Sequence, residues 1–352
     1  MGIPPVKIAY LCSRHPLLGG EWYRATRPGA LAMHRFGWSA AACISMATEE
    51  DNDGGPLTFI TPNQTAITPD IIVVRPIREW SPEWTAQAHA NGQGVIADID
   101  DDLWVHEDWK DRERPNDDGY DDWFWDVDAV LASTRHLAKR IREMGHRAPV
   151  VVAPNCYDPY GITPGPRPGR VIGTRLWLNG RMAGDLEMYD DLVYPLLDEL
   201  DLKFLHVGAE EEPGRRFTDR GWSDERLIER RSVVIPLLGE AFKGLSIGTI
   251  MMSDHPYNEA KTETHAMELA SGGIPLVAAS NHPLYRRVPG RVEPTKDAVR
   301  DRIVTLLDPD VWGKESIRAM TWARMLAKKR EAEHMSALLR VVNLMKARRA
   351  RA

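Results

Sequence analysis

The stretch that decides the fold runs from Ser253 to Ser280 and reads SDHPYNEAKTETHAMELASGGIPLVAAS. Gly272 and Gly273 end a helical pattern, and the apolar run 276–279 that follows is typical of a buried parallel strand. Asn258 is the expected N-cap of the helix, because its side-chain oxygen can accept a hydrogen bond from a free backbone N–H. The stretch therefore predicts a loop, a helix, a glycine stop and a strand.

Three polar residues of the predicted helix share one face. Lys261, His265 and Glu268 are spaced i, i+4 and i+7. The helix dipole and Lys261 suit a diphosphate, and Glu268 can accept hydrogen bonds from ribose hydroxyls. The other side can pack on a sheet through Ala266, Met267, Leu269 and Ala270. The pattern fits a nucleotide-binding helix and equally an amphipathic surface helix with a solvated charged face.

The stretch resembles the donor-site helix of group 1 glycosyltransferases, which have two Rossmann-like domains in the GT-B arrangement. Members typically carry two Glu residues separated by seven positions; Glu268 matches the second, and Ala260 stands in place of the first. A sub-pattern of the superfamily, found also in phage-type members, is matched by Pro256, Tyr257, Asn258, Lys261, Thr262 and Glu268. The resemblance implies donor-binding roles for Asn258, Thr262, His265 and Glu268.

The length of 352 residues favours two domains. The composition, with 27% charged residues, is that of an ordinary globular protein. The net charge of -6 disfavours a nucleic-acid-coating protein. The three cysteines are widely spaced and make no metal pattern, so a reducing compartment is expected. The sequence has no apolar run of membrane-spanning length and no recognisable signal peptide, which predicts a cytoplasmic protein.

The first half of the chain alternates short apolar runs with helical patterns, as in a doubly wound parallel sheet. The apolar runs are 6–11, 71–74 and 95–97. Gly19 and Gly20 follow the first run, where open α/β sheets bind ligands. The resemblance implies that these two glycines form a binding loop. Both glycines are expected to bind the donor, and their loop is expected to face the acceptor as well.

An acidic cluster, Asp98-Ile-Asp100-Asp101-Asp102, follows the third apolar run. The spacing fits an Asp-x-Asp metal site, the nucleophile of a phosphatase, or a structural cluster that caps the next segment and pairs with Arg112 or Arg114. In the resembled sub-family, a D-[IL]-D-D-D-L-[WF] motif ends the same strand. The resemblance implies that Asp98, Asp100 and Asp101 line the catalytic cleft without a metal.

The second domain is expected to begin after a linker rich in Pro and Gly, residues 158–170. Family members carry a Gly-Arg pair here and, five residues later, a phosphate-binding Lys. Gly180 and Arg181 match the pair, but Leu186 occupies the Lys position, so Lys261 is the expected replacement cation. Arg181 and Lys261 are therefore the predicted catalytic cations.

The resemblance implies an α/β protein of the GT-B fold. The expected parts are an acceptor-side domain at 1–160, a nucleotide-sugar-binding domain at 161–325 and a C-terminal helix at 326–352 that returns to the first domain. The implied function is a retaining, metal-independent glycosyltransferase with a nucleotide-sugar donor in the cleft and no cofactor. The acceptor is a glycan, a protein or modified DNA. A non-catalytic nucleotide- or glycan-binding module and a sugar-nucleotide epimerase remain alternatives.

Overall fold

A computed structural model of the chain describes residues 5–12, 16–17, 19–46, 54–75, 80–102, 104, 122–158, 162, 167–175, 183–209, 226–231 and 233–349. The chain forms two compact units. The first unit comprises Met1–Tyr157, Ala260–Thr262 and Lys329–Ala352. The second unit comprises Asp158–Glu259 and Glu263–Lys328.

The first unit is built on a parallel sheet. Its described strands are β1 (Lys7–Leu11), β2 (Ser39–Cys43), β6 (Ile71–Val74), β7 (Gly94–Ile99), β8 (Ala129–Ala132) and β9 (Val150–Val152), and a small antiparallel sheet contains β3 (Ser45–Met46), β4 (Phe59–Ile60) and β5 (Ala66–Ile67). The order in the large sheet is β2-β1-β6-β7-β8-β9. The direction of winding reverses between β1 and β6, so the carboxyl ends of these strands flank the position where such sheets bind ligands.

Helices cover both faces of this sheet. They are α1 (Gly19–Glu21), a π-helical segment (Trp22–Thr26), α2 (Arg27–Phe36), α3 (Pro82–Ala90), α4 (Asp122–Trp125) and α5 (Arg135–Glu143). Alternate residues of each strand enter opposite cores: Leu11 and Val74 pack on one face, and Tyr10 and Val73 pack on the other. This alternation explains why the strands read as continuous apolar runs.

The second unit repeats the plan. Its described strands are β10 (Val171–Thr174), β11 (Lys203–Ala209), β12 (Leu227–Arg231), β13 (Ile247–Met252), β14 (Leu276–Ser280) and β15 (Arg291–Val292), in the order β12-β11-β10-β13-β14-β15. Every described pairing in this sheet is parallel. The winding reverses between β10 and β13, which places the expected ligand position at the carboxyl ends of those two strands.

Short and long helices accompany the second sheet. They are α6 (Ala183–Leu192), α7 (Tyr194–Glu199), α8 (Leu238–Ala241), α9 (Pro256–Glu259), α10 (Thr264–Ser271) and α11 (Lys296–Leu306), with 3-10 turns at Ile235–Leu237 and Pro283–Arg287. The last helix, α12, runs from Pro309 to Arg349. Its final part belongs to the first unit, where Leu338, Val341 and Val342 enter the core.

The predicted fold class is confirmed, since both units have a doubly wound parallel sheet and the C-terminal helix ends in the first unit. None of the helices in the described part of the chain combines the length and the apolar character needed to span a membrane.

The prediction of one helix from Asn258 to Gly272 is wrong. The segment forms α9 and α10, and residues 260–263 between them are not helical. Ala260, at the break between them, is buried in the first unit's core. The β-branched residues Thr262 and Thr264 also favour the helix less than straight side chains do. Lys261 therefore does not share a helical face with His265 and Glu268.

The close approach of β10 to β11 predicts a strict requirement for glycine at position 173. A Cβ atom there would lie 1.9 Å from the carbonyl oxygen of Leu205. We expect Gly173→Ala to lower the free energy of unfolding by at least about 2 kcal/mol, measured by urea denaturation. Gly313→Ala is the matched control, because nothing lies within 4 Å of the added carbon. In helix α12 this change should raise stability by about 0.5–1 kcal/mol, and equal midpoints for both variants would contradict the expectation.

Candidate functional site

The acidic cluster lies at the carboxyl end of β7, and each of its four Asp residues faces a different basic residue. The pairs are Asp98 with Arg24, Asp100 with Arg75, Asp101 with Lys261, and Asp102 with Arg140. All eight residues belong to the first unit. One of the three interpretations of this cluster was a structural one, in which the Asp residues pair with arginines. The four Asp residues are indeed paired with basic residues, which come from four distant parts of the chain. The proposed partners Arg112 and Arg114 lie outside the described residues.

Asp98 and Arg24 form a fully buried ion pair, with side chains 1% and 0% exposed. The guanidinium of Arg24 donates from Nε to Oδ2 of Asp98 at 3.0 Å and from Nη2 to Oδ1. It also donates to the carbonyl of Ala153 and to Oδ1 of Asn155. Burial raises the pKa of Asp98, and the charge of Arg24 acts in the opposite direction. Asp98 thus holds Arg24 against the end of β9 and has no surface to offer a substrate.

His334 of α12 lies beside this pair. Its Nδ1 lies 2.7 Å from the carbonyl oxygen of Pro154, a distance at which the ring N–H donates to that oxygen. Burial, and to a smaller extent the charge of Arg24, lowers the pKa of His334 to about 3. The ring is therefore neutral near pH 7, and the last helix is fixed to the first unit without adding charge to its core.

Arg75 joins the acidic cluster to the glycine segment. It follows β6, donates to Oδ2 of Asp100 at 2.7 Å, and lies 3.3 Å from Oε2 of Glu21. A Cβ atom on Gly20 would lie 2.9 Å from Nη1 of Arg75. Gly19 and Gly20 begin helix α1, where the resemblance implied a binding loop. The absence of a side chain at Gly20 lets the guanidinium lie against this backbone.

The segment 260–262 is held at two points. Nζ of Lys261 donates to Oδ1 of Asp101 at 2.8 Å, and Nδ2 of Asn155 donates to Oγ1 of Thr262 at 3.1 Å. Within the described residues, no group of three or more His, Cys, Asp or Glu side chains is arranged to hold a metal ion.

A second charged cluster lies at the point where the second sheet reverses its winding. Arg175 directly follows β10 and pairs with Oε1 of Glu268 on α10, and Nδ1 of His265 lies 3.6 Å from Oε2 of the same carboxylate. The side chain of Glu268 is 1% exposed, and that of His265 is 35% exposed. Burial opposes ionisation of Glu268, but Arg175 and His265 outweigh it and lower the pKa to about 2.

Asn258 has a structural setting in α9. Its side-chain amide donates to Oδ1 of Asp185 at 2.9 Å, and the same oxygen accepts from the backbone and hydroxyl of Ser253. Asn258 is 2% exposed and does not cap the following helix, whose N-cap residue is Glu263. Gly180 and Arg181 lie outside the described residues.

The sequence analysis missed the arginines that pair with the predicted carboxylates. Arg175 is the clearest case, because it stands one residue beyond the first strand of the second unit, at the winding reversal. Its position at the carboxyl end of a predicted strand could have identified Arg175 as a candidate site residue from the sequence. Arg24 and Arg75 are far from Asp98 and Asp100 along the chain, so only the tertiary structure pairs them.

The architecture of this chain is similar to that of several proteins of known structure. No protein-family model matches the sequence, and the comparison with curated proteins found no match. Among solved structures, a sucrose-phosphate synthase from Thermosynechococcus elongatus matches with a TM-score of 0.60 and 12% identity, over 99% of this chain and 100% of that one. A structure described as trehalose-6-phosphate from E. coli bound with UDP-2-fluoro glucose matches with a TM-score of 0.58 and 11% identity, over 96% and 99%.

TarM matches with a TM-score of 0.55 and 12% identity, over 84% of this chain. The chain spans only 62% of the length of TarM. A structure described as a putative UDP-N-acetylglucosamine 2-epimerase from Listeria monocytogenes matches with a TM-score of 0.51 and 13% identity, over 99% of this chain and 98% of that one. The chain has the GT-B fold. In GT-B terms, the paired acidic cluster belongs to the N-terminal unit, and the cluster of Arg175, His265 and Glu268 belongs to the C-terminal unit.

Breaking the buried pair of the N-terminal unit should cost far more than breaking a surface pair. We expect Arg24→Met to lower the free energy of unfolding by about 3–5 kcal/mol, because Asp98 is then buried without a cation. The double variant Arg24→Met, Asp98→Leu should recover much of that loss. Lys139→Met, which removes an exposed pair with Glu143, is the control and should leave the urea midpoint unchanged. A double variant no more stable than Arg24→Met would contradict this account.

The low pKa of Glu268 makes the folded state sensitive to acid. Because the pKa falls from 4.5 to about 2 on folding, the stabilisation is present above pH 4.5 and is lost as the pH falls toward 2. The full effect is roughly 3 kcal/mol. The difference in free energy of unfolding between wild type and Glu268→Gln should therefore shrink between about pH 4.5 and pH 2. Denaturant titrations at several pH values measure it, and a constant difference would contradict the low pKa.

Proposed function

We propose that this protein is a glycosyltransferase that moves a sugar from a nucleotide-sugar donor to a hydroxyl group of an acceptor. The observation that carries the proposal is the cluster of Arg175, His265 and Glu268 at the winding reversal of the C-terminal GT-B unit. Ligands of open α/β sheets bind at this position. The described GT-B neighbours include one bound with UDP-2-fluoro glucose, which makes UDP-sugars the first donors to test.

In the proposed mechanism, the C-terminal unit binds the donor and the N-terminal unit receives the acceptor. Cations stabilise the negative charge that develops on the leaving diphosphate, and Arg175 and Arg181 are the candidates. Lys261, the other cation predicted from the sequence, pairs with Asp101 within the N-terminal unit. The proposed reaction is retaining and needs no metal. Support for metal independence comes from the acidic cluster, in which each Asp already faces Arg or Lys.

The acceptor side is proposed to include Asp100 and Asp101, whose ion-paired side chains are partly exposed. Asp98 is assigned a supporting role because it is buried against Arg24. The proposed acceptor is a glycan, a protein or modified DNA. An epimerase is the second candidate, because a structure described as a putative UDP-N-acetylglucosamine 2-epimerase shares the fold.

A panel of nucleotide sugars tests the proposal by thermal shift. A donor at about 100 times its Kd stabilises the native state by about 2.7 kcal/mol, which corresponds to a rise in Tm of roughly 4 °C for a chain of 352 residues. We expect a UDP-sugar to give this rise with or without EDTA. Glu268→Ala should lose the rise, and Glu199→Ala, which removes an exposed carboxylate of the same unit, should keep it.

The outcomes separate the candidates. A rise abolished by EDTA would contradict metal independence, and no rise with UDP-, GDP-, dTDP- or ADP-sugars would contradict donor binding. Product analysis by mass spectrometry and proton NMR then distinguishes the reactions: a free nucleoside diphosphate together with the sugar bound to an acceptor hydroxyl indicates transfer. An altered sugar that remains attached to the nucleotide indicates an epimerase.

A further inference from the structure

The part of helix α12 at residues 314–328 has a buried side and an exposed side, and it belongs to the second unit. On the buried side, Oγ of Ser316 donates to the carbonyl oxygen of Gly273 at 2.6 Å, and Ala319 and Ala323 are fully buried. At 100° per residue, the exposed residues fall within about 120° of the helix circumference on the other side. They are two apolar residues, four basic residues and Thr321, and together they form the exposed α12 face.

The two apolar residues of the α12 face are Ile317 and Met325. Their side chains are 64% and 68% exposed, the highest values among the large hydrophobic residues that the structure describes. Two helical turns separate them, so they lie about 12 Å apart along the helix axis. Covering such side chains removes apolar surface from water and is favourable.

The basic residues of the α12 face are Lys314, Arg318, Arg324 and Lys328. The only acidic residue of the segment is Glu315, whose largely buried side chain pairs with Arg302 of α11 and with Arg318. An exposed Asp310 lies one turn before Lys314, so four cations still outnumber two carboxylates. The net charge of the whole protein is -6, and a local excess of the opposite sign indicates an anionic partner.

We propose that the α12 face binds an anionic lipid surface. Ile317 and Met325 insert at the level of the headgroups, and the basic residues interact with the lipid phosphates. Interfacial helices combine apolar insertion with attraction to anionic lipids in this way. The proposal goes beyond the proposed function and does not depend on donor binding.

A lipid surface uses both features of the α12 face, whereas two other partners use only one. The phosphates of a nucleic acid would neutralise the cations and leave Ile317 and Met325 in water. A second copy of this chain would cover the apolar residues, but a two-fold contact would bring the same cations together. The observations therefore favour lipid.

Vesicle flotation with the full-length chain tests the proposal. Vesicles of phosphatidylcholine alone are compared with vesicles of an equimolar mixture of phosphatidylcholine and phosphatidylglycerol. We expect binding to the mixed vesicles only. Binding should weaken as the salt concentration rises, because salt screens the attraction between the cations and the lipid phosphates.

The electrostatic part is tested by the double variant Lys314→Gln, Lys328→Gln. Each basic residue near an anionic lipid surface strengthens binding about fivefold, so this variant should bind the mixed vesicles roughly 25-fold more weakly. The matched control is Lys139→Gln, Lys243→Gln, which removes the same charge at exposed positions outside the face. It should bind almost as wild type does.

The apolar part is tested by the double variant Ile317→Ser, Met325→Ser. It should bind the mixed vesicles at least about tenfold more weakly, because the inserted apolar surface is lost. The control Met33→Ser, Leu237→Ser changes two exposed apolar residues elsewhere and should bind as wild type does. Unchanged urea midpoints verify that the variants are folded, so lost binding reports the α12 face and not unfolding.

A fluorescent label reports insertion directly. The three native cysteines are buried, so a thiol-reactive dye can label one introduced, exposed cysteine in the folded chain. The emission of a polarity-sensitive dye on Met325→Cys should shift to shorter wavelength with mixed vesicles. The same dye on Met33→Cys should show no shift.

The remaining outcomes overturn the proposal. No binding to mixed vesicles, or an equal loss in the control variants, excludes the α12 face as a lipid contact. Binding of duplex DNA that depends on Lys314 and Lys328, without a dye shift on vesicles, indicates a nucleic-acid surface instead. A dimer in analytical ultracentrifugation that Ile317→Ser, Met325→Ser dissociates, again without vesicle binding, indicates a contact between copies. The thermal shift with nucleotide sugars is measured separately, so failure here leaves the proposed function intact.

Discussion

A carboxylate removed from water needs a cation at hydrogen-bonding distance, and both units of this protein obey that constraint near the carboxyl ends of their central strands. In the first unit Asp98 faces Arg24, and in the second Glu268 faces Arg175. These pairs fix strand ends as well as side chains, because Arg24 also holds the carbonyl of Ala153. Loss of either arginine would leave a charge buried without compensation.

The two pairs have different consequences for chemistry. Asp98 has both oxygens on Arg24, so the pair is closed and supports its surroundings. Glu268 has one oxygen on Arg175 and the other toward a partly exposed His265. The second pair therefore extends to the surface through the imidazole, whereas the first one does not. The same physical requirement yields a structural pair in one unit and a candidate binding group in the other.

Local patterns in the sequence were enough for the buried strands β1, β6, β7 and β14 and for the end of helix α10. Gly273 adopts a left-handed backbone conformation with φ of +77°, as the predicted glycine stop requires, and Leu276–Ser280 follows as a buried strand. The helix start was not predictable in this way. Burial of Ala260 and the pairing of Lys261 with Asp101 belong to tertiary structure, and they separate α9 from α10. Periodicity alone placed Lys261, His265 and Glu268 on one helical face. It could not predict the break between α9 and α10, because that break depends on tertiary contacts.

The pairing also bears on which groups can meet a ligand. Around the acidic cluster, five carboxylates including Glu21 face four cations, so a divalent ion would have to displace guanidinium or ammonium groups already at hydrogen-bonding distance. That competition supports a role without metal for the cluster. In the C-terminal unit, Arg175 pairs with one oxygen of Glu268, and the other oxygen faces the partly exposed His265. The chemistry of each unit thus follows from which side of an ion pair remains accessible.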